Sequence, residues 1–283
     1  MIGDSRVIRA LGAGRAVRVI AVDVTQMAEQ TRLVHALDPP AAWMAAQLVA
    51  ATALLSVHIK GEERLALQLQ ASSPRCAFYG EIGGDGTFRA RFSPSVVPPR
   101  AVMSGILVAI KSANGREVYR GSSAVEGETV EAALQRYLVS SVQIGAAIRL
   151  GAVWEDDGSI GFAGGVLVER LPEEPGLPSI SADEFAERAA RLTAGNVDEL
   201  VYGVIGGELG DERVEVLEDN TIVWQCRCSR ERVEQTLIAL GGNEIRSILA
   251  EQGKAEVSCH FCNRNEVIEG PRLEELLAGL VEA

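Results

Sequence analysis

Two pairs of closely spaced cysteines near the carboxyl end place the strongest constraint on this chain. One residue separates Cys226 from Cys228, two separate Cys259 from Cys262, and 30 residues lie between the pairs. Close pairs of this kind in a chain without a disulfide framework are typical of a tetrahedral thiolate site, most often for zinc. We therefore expect these four side chains to bind one Zn²⁺ per chain in the reduced protein.

The residues between the two pairs have patterns that would bring the pairs together. Ser229 to Leu240 and Asn243 to Gln252 have helical patterns that end at glycines, and Ala255 to Ser258 has a strand pattern. Pro271 to Leu280 has the pattern of a closing amphipathic helix. The sequence thus predicts a small zinc domain over residues 226–283.

Other uses of these cysteines are less well supported. His260 is a weaker candidate ligand, because four thiolates already complete the coordination of zinc. A closed site has no position for water, which disfavours hydrolytic zinc chemistry. Turn residues rather than a helix follow Cys262, which disfavours a thioredoxin-type redox centre. The sequence also contains no P-loop, nucleophile-elbow or H-E-x-x-H motif, so we expect that the protein is not an enzyme.

The spacing of the pairs also indicates a redox response. A Cys-x-Cys pair is unusual in a purely structural zinc ribbon. Side chains at positions i and i+2 of an extended chain point the same way, so each pair is close enough for a local disulfide once the metal is lost. We expect the fifth cysteine, Cys76, to be a small apolar residue in a strand, and His35 and His58 to be structural.

The charges divide the chain into three segments. Residues 1–170 carry 17 basic and 16 acidic side chains, residues 171–225 carry 3 and 13, and residues 226–283 carry 7 and 10. Three prolines between Leu171 and Pro178 mark the first boundary. We therefore predict an N-terminal domain, an acidic linker with helices and the zinc domain. The net charge of −12 disfavours general nucleic-acid binding.

The first segment has the pattern of an α+β domain. Asn114-Gly115 and Asp156-Asp157-Gly158 are hairpin signals between strand patterns, and Thr129 to Ile144 has the apolar stripe of a helix. Hairpins mixed with helices predict largely antiparallel sheets. The linker has a capping box at Ser181 and Glu184, followed by an apolar stripe, and we expect it to pack on the first domain.

The compartment we expect is the cytoplasm. The amino terminus lacks the pattern of a secretory signal, and five cysteines are too few for a disulfide scaffold. The apolar stretch from Ala41 to Val57 is shorter than the ~20 residues of a spanning helix. We therefore predict a buried helix here and no membrane partner.

Several motifs resemble the 33 kDa chaperonin family, the redox-regulated heat-shock holdases of bacteria. In the zinc domain the resemblance lies in the blocks Cys226–Arg232, Ile245–Leu249 and Glu256–Cys262. In the first domain it lies in Lys60–Leu65 and in Val125–Thr129, which precedes a helix with Tyr137 and Leu138. The resemblance spans nearly the whole chain, and the cysteine pattern is its most specific part.

The resemblance implies an ATP-independent chaperone that binds unfolding proteins under oxidative and heat stress. It implies that the reduced, zinc-bound form is inactive, and that oxidation forms two disulfides, expels zinc and unfolds the zinc domain and the linker. We expect Cys226 to pair with Cys228 and Cys259 with Cys262, and the oxidised form to be a homodimer. The alternative is a zinc-ribbon adaptor that binds a protein or RNA without redox switching.

Overall fold

The chain divides into two compact units, Met1–Gln225 and Cys226–Ala283. The computed structural model describes residues 4–99, 102–173, 176, 178–193 and 195–281. The strands of the first unit are β1 Arg6–Gly12, β2 Val17–Asp23, β3 Arg64–Ser73, β4 Arg75–Gly83, β5 Thr87–Ser93, β6 Met103–Ala113, β7 Arg116–Glu128, β8 Ala146–Trp154, β9 Ile160–Arg170, β10 Glu208–Leu209, β11 Glu212–Arg213, β12 Glu215–Thr221 and β13 Val223–Trp224. Its helices are α1 Thr25–Val34, α2 Pro39–Leu54, α3 Val130–Tyr137, α4 Ala182–Leu192 and α5 Val197–Ile205.

Two sheets form the frame of the first unit. The five-stranded sheet has the order β12-β1-β2-β9-β8 and is antiparallel throughout. The six-stranded sheet has the order β13-β5-β4-β3-β6-β7, and only its short β13–β5 pair is parallel. Both predicted hairpins are present, and Asn114 and Gly115 have the positive φ angles that a two-residue hairpin turn requires. The predicted α+β class with antiparallel sheets is confirmed.

Helix α2 is the centre of the main core. The Asp38 carboxylate accepts a hydrogen bond from the Ala41 N–H, and Pro39 occupies the first turn. The stretch Pro39–His58 is long and apolar enough to cross a membrane, but 89% of its most apolar window is buried inside the protein. Strands of both sheets pack around the helix. The predicted buried helix is confirmed.

The five-stranded sheet is covered on both faces. On β2, Ile20 and Val22 face the core around α2, whereas Val19 and Ala21 face a second core. The helices α4 and α5 close that second core with the buried side chains Phe185, Ala189, Leu192, Leu200, Val201 and Val204. The part of the acidic segment that forms these helices therefore packs on the first domain, as its apolar stripes predict.

Two local predictions need correction. The helix predicted over Thr129 to Ile144 is α-helical only to Tyr137, continues as a π-helical turn over Leu138–Val142 and ends at Gln143, whose φ is +61°. The acidic segment also contains the strands β10 to β13, which its composition did not indicate. β12 lacks an apolar alternation, and it forms because the edge of β1 offers it a hydrogen-bonding partner.

The second unit is small and built around one compact core. It consists of α6 Arg230–Leu240, α7 Gly242–Gln252, β14 Lys254–Ser258, β15 Asn265–Glu269 and α8 Gly270–Val281. Its buried apolar side chains are Leu237, Ile245, Ala255, Ile268, Leu273 and Leu276. The three helices and β14 match the sequence patterns, and β15 completes a hairpin with β14 that the patterns did not show.

A buried carboxylate lies at the edge of the five-stranded sheet. Glu169 on β9 is 1% exposed, accepts a hydrogen bond from Arg18 Nε at 2.7 Å and lies 3.1 Å from His58 Nε2. The His58 contact is close enough for an ion pair but is not aligned as a hydrogen bond. Burial acts to raise the pKa of Glu169, but the neighbouring His58 and Arg18 outweigh it and hold the pKa below its ordinary value.

We expect Glu169→Gln to lower the free energy of unfolding at pH 7 by about 1–3 kcal/mol, because the charge-assisted hydrogen bond from the partly exposed Arg18 is weakened. A folded-state pKa below the unfolded value stabilises the protein above the unfolded pKa, and this contribution disappears as the pH falls. The difference between variant and wild type should therefore shrink below about pH 4. Chemical unfolding at several pH values measures it, and a difference independent of pH would contradict the assignment.

Candidate metal centre

Two separate segments carry the four cysteines of the second unit. Cys226 and Cys228 lie in the extended segment that leads into α6. Cys259 and Cys262 lie in the turn that joins β14 to β15. The antiparallel pairing of these two strands returns the chain on itself, so the turn presents both of its cysteines at one end of the hairpin.

The four sulfur atoms converge on a single point. All of them lie within 4.8 Å of one another. The Sγ atoms of Cys226 and Cys259 are 3.5 Å apart, and those of Cys228 and Cys262 are 3.4 Å apart. Four thiolates at 2.3 Å from a zinc ion would be about 3.8 Å apart. The predicted ligand set is thus brought together at nearly the spacing that a tetrahedral ion requires.

The first segment is held by hydrogen bonds around the start of α6. The Ser229 hydroxyl accepts from the Arg232 N–H and caps the helix, and the Arg232 guanidinium donates to the Arg227 carbonyl at 2.8 Å. Arg230 reaches across to the Val267 carbonyl of β15 at 3.5 Å. Sequence analysis did not assign these arginines a role. The occurrence of three arginines between Cys226 and the first turn of α6 is the signal that could have indicated one.

The second segment is a tight turn closed by main-chain hydrogen bonds. The Cys259 N–H donates to the Arg264 carbonyl at 2.9 Å, and the Asn263 N–H donates to the Cys259 carbonyl at 2.8 Å. Asn263 has a φ of +53°, a left-handed conformation that asparagine adopts more readily than most residues. These main-chain hydrogen bonds therefore fix the direction of Cys259.

The thiols differ in how easily they lose a proton. Burial raises the pKa of Cys226 and also that of Cys228, where the neighbouring sulfurs add to the effect. Burial likewise acts to raise the pKa of Cys259, but the N–H groups of Phe261 and Cys262 favour its thiolate and lower the pKa to about 7. The Cys259 thiol consequently ionises more readily near neutral pH than those of Cys226 and Cys228.

This arrangement can hold one thiophilic metal ion and completes its coordination. Four sulfur ligands suit zinc, and they form a closed site with no position for a substrate or water. All four cysteines are free thiols and only partly buried, so small oxidants can reach them. Metal binding and thiol oxidation are therefore the two reactions available to the cluster.

The other residues considered from the sequence are not members of the cluster. His260 is exposed and is not among the converging ligand atoms. Cys76 is buried in the core of the first unit with its sulfur 3.6 Å from that of Met44, and burial raises its pKa to about 11. His35 Nε2 lies 3.3 Å from the Ala90 carbonyl, and His58 faces Glu169. These contacts agree with structural roles.

Comparisons with known proteins find matches over nearly the full length. The curated relatives include the 33 kDa chaperonin of Geobacillus kaustophilus, which is 28% identical over 291 residues, covering 95% of this chain and 96% of that protein. The 33 kDa chaperonin of Bacillus velezensis is 27% identical over 286 residues, covering 95% and 97%.

The fold also matches that of a solved structure. The crystal structure of the 33 kDa chaperonin (heat shock protein 33 homolog) from Thermotoga maritima has a TM-score of 0.78 and 24% sequence identity. The match covers 99% of this chain and 100% of that one. The family model described as Hsp33 protein matches residues 5–269. Because this match spans all but the ends of the sequence, the chain belongs to the Hsp33 family.

Proposed function

We propose that this protein is a redox-regulated, ATP-independent chaperone of the cytoplasm that binds unfolding proteins and prevents their aggregation during oxidative and heat stress. Membership of the Hsp33 family supports a chaperone function, because the relatives are named as chaperonins. The observation that carries the redox part is the convergence of four free thiols in one small unit.

The size of the second unit makes its stability depend on the cluster. In the described part of residues 226–283, six apolar side chains are fully buried and a few more are partly buried against them. A unit of this size rarely gains more than about 3–5 kcal/mol from its core alone. A structural zinc site adds about 10–16 kcal/mol of apparent binding free energy. Cys226, Cys228, Cys259 and Cys262 hold the ion in the reduced form, and their loss as ligands unfolds the unit.

Oxidation of the thiols removes those ligands. A peroxide oxidises one thiolate to a sulfenic acid and is itself reduced to hydroxide. A neighbouring thiol then attacks the sulfenic sulfur, which forms a disulfide and releases water. Each disulfide accounts for two thiols, two electrons and one peroxide, so two peroxides oxidise the four cysteines. Sulfur atoms in disulfides are no longer thiolate ligands.

The acidic segment transmits this change to the first domain. The helices α4 and α5 cover the five-stranded sheet through side chains such as Phe185, Leu192 and Val201. Both helices are too short to persist alone in water, and residues 171–225 carry a net charge of −10, which favours expansion once they detach. Their release exposes the apolar face of the sheet to unfolding proteins. The oxidised form assembles as a homodimer.

An aggregation assay without nucleotide tests the function. A thermally unfolding client protein is mixed with the reduced protein or with peroxide-treated protein, and light scattering and released zinc are followed together. We expect the reduced form to have little effect, and the oxidised form to suppress aggregation after releasing one zinc per chain. A protein that keeps its zinc under peroxide and never suppresses aggregation would be an adaptor without redox switching.

We expect protein purified without oxygen to contain one zinc per chain by elemental analysis, bound by the four clustered cysteines. Cys259→Ser should abolish stoichiometric zinc and unfold the second unit, because three thiolates do not complete the site. Cys76→Ala, which changes the thiol buried in the first unit, is the matched control and should keep one zinc. Wild-type protein without zinc, or a variant at position 259 that retains a full equivalent, would contradict the assignment.

The disulfide pairing of the oxidised form is a separate prediction. The folded cluster places each sulfur near the other three, so the pairing depends on the chain after unfolding. Partners separated by one or two residues meet without the entropic cost of closing a long loop. Peptide mapping should therefore find Cys226 joined to Cys228 and Cys259 joined to Cys262. A dominant link from Cys226 to Cys259 or Cys262 would refute this pairing.

Replacement of Phe185 by glutamate should activate the protein without oxidation. The Phe185 side chain is 6% exposed in the core beneath α4, and a charge there should remove several kcal/mol of packing between this helix and the sheet. We expect the reduced, zinc-bound variant to suppress aggregation measurably. Ala186→Glu, at an exposed position of the same helix, is the matched control and should remain inactive. Equal activity of the two variants would show that docking of α4 does not restrain the chaperone.

A further inference from the structure

The strand β12 is attached to the first unit in an unusual way. It pairs with the edge of β1, yet each of its seven residues is exposed. The pairing is irregular between Arg9 and Ala10, where the register skips Leu217. Only the residues that flank the strand are buried: Val214 in the core beneath α5 and Ile222 in the core around α2. Main-chain hydrogen bonds and charges, rather than buried side chains, therefore hold the strand itself.

Those charges form three ion pairs, which lie on both faces of β1 and in the turn that follows it. Arg6 pairs with Asp219, Arg9 with Glu218 at 2.9 Å and Arg15 with Glu215 at 3.5 Å. All the carboxylates come from β12 and all the guanidinium groups from the amino-terminal residues. Complementary charges and main-chain hydrogen bonds therefore both hold β12 beside β1.

The Arg9 side chain is the least exposed of the six side chains that form these ion pairs. Its side chain is 23% exposed, its Nη2 donates to the Ser56 carbonyl at 3.1 Å, and its buried Nε has no hydrogen-bond partner. Without Glu218, a half-buried positive charge would lose its carboxylate partner, which is costly. The position therefore favours any carboxylate that takes the place of Glu218.

Detachment of β12 would change β1 from an inner strand into an edge strand. β1 would then be the outermost strand of the five-stranded sheet. Its edge would carry unpaired main-chain N–H and C=O groups beside three arginines. An exposed edge of this kind takes up extended chains by strand addition, where the backbone provides affinity and the side chains provide selectivity.

We propose that the β1 edge is a binding site for extended segments of unfolding proteins that carry carboxylates, and that β12 occupies this site as an internal substitute in the resting state. The inference rests on the proposed function, because the site opens only when the acidic segment detaches. Glu215, Glu218 and Asp219 define the pattern that an incoming segment must match. The site thus selects clients by charge, in addition to the apolar surface beneath α4 and α5.

A peptide of residues 213–224 tests the site directly. The labelled peptide is titrated into the oxidised full-length protein and followed by fluorescence anisotropy, beside a control peptide with Glu215→Lys, Glu218→Lys and Asp219→Lys. We expect the native peptide to bind at least about tenfold more tightly than the control, as ion pairs at half-buried arginines should give. Reduced protein, in which β12 already fills the site, should bind it at least about tenfold more weakly.

A charge exchange on the protein provides the reciprocal test. The double variant Arg6→Glu with Arg9→Glu should lose the native peptide and bind the lysine-containing control instead. Circular dichroism checks the fold of the variant. If it does not fold, the comparison of native and control peptide binding to the oxidised wild-type protein still tests the proposal. Equal binding of both peptides to the oxidised wild type would overturn the proposal.

Two negative results have different meanings. If the oxidised protein suppresses client aggregation but does not bind the native peptide, the strand site is wrong and the proposed function stands. If the oxidised protein does not suppress aggregation at all, the proposed function fails, and the inference that rests on it fails as well.

Discussion

The meeting of four thiols at one point is the interaction on which the proposed redox switch depends. The second unit has a core of six buried apolar side chains, too small to give it more than a marginal stability. Its two cysteine-bearing segments lie before α6 and after β14, and beyond this small core and a hydrogen bond from Arg230 to the Val267 carbonyl, the four converging thiols are the feature that can tie them together. A structural element whose stability resides in four oxidisable atoms responds to oxidants in a way that an apolar core cannot.

The first unit has two apolar cores of unequal size, one on each face of the five-stranded sheet. The core around α2 is enclosed by both sheets and contains most of the large buried side chains. The outer layer of α4 and α5 covers the other face of the five-stranded sheet with fewer residues and is flanked by charged, exposed chain. Stability is therefore distributed unevenly, and the layer of lower stability is the one that hides apolar surface.

Much of this arrangement could be predicted from the sequence, because the relevant signals are local. The cysteine spacing identified the four side chains whose sulfurs converge, the turn residues at Asn114 and Gly115 identified a hairpin, and Ser181 marked the start of α4. Strand β12 escaped prediction because its conformation comes from the edge of β1, more than 200 residues away in the chain. The π-helical turn after Tyr137 could not be predicted, because the spacing of apolar residues along the sequence is nearly the same in such a turn as in an α-helix.

Hydrogen exchange of the amide groups in α4 and α5 tests most directly whether the thiol cluster controls the outer layer. The exchange of residues 182–205 is compared between the reduced, zinc-bound protein and the oxidised protein, with α2 as the internal reference. We expect the two outer helices to lose their protection on oxidation while α2 stays protected. Equal protection of α4 and α5 in both forms, together with full chaperone activity of the oxidised form, would contradict this account.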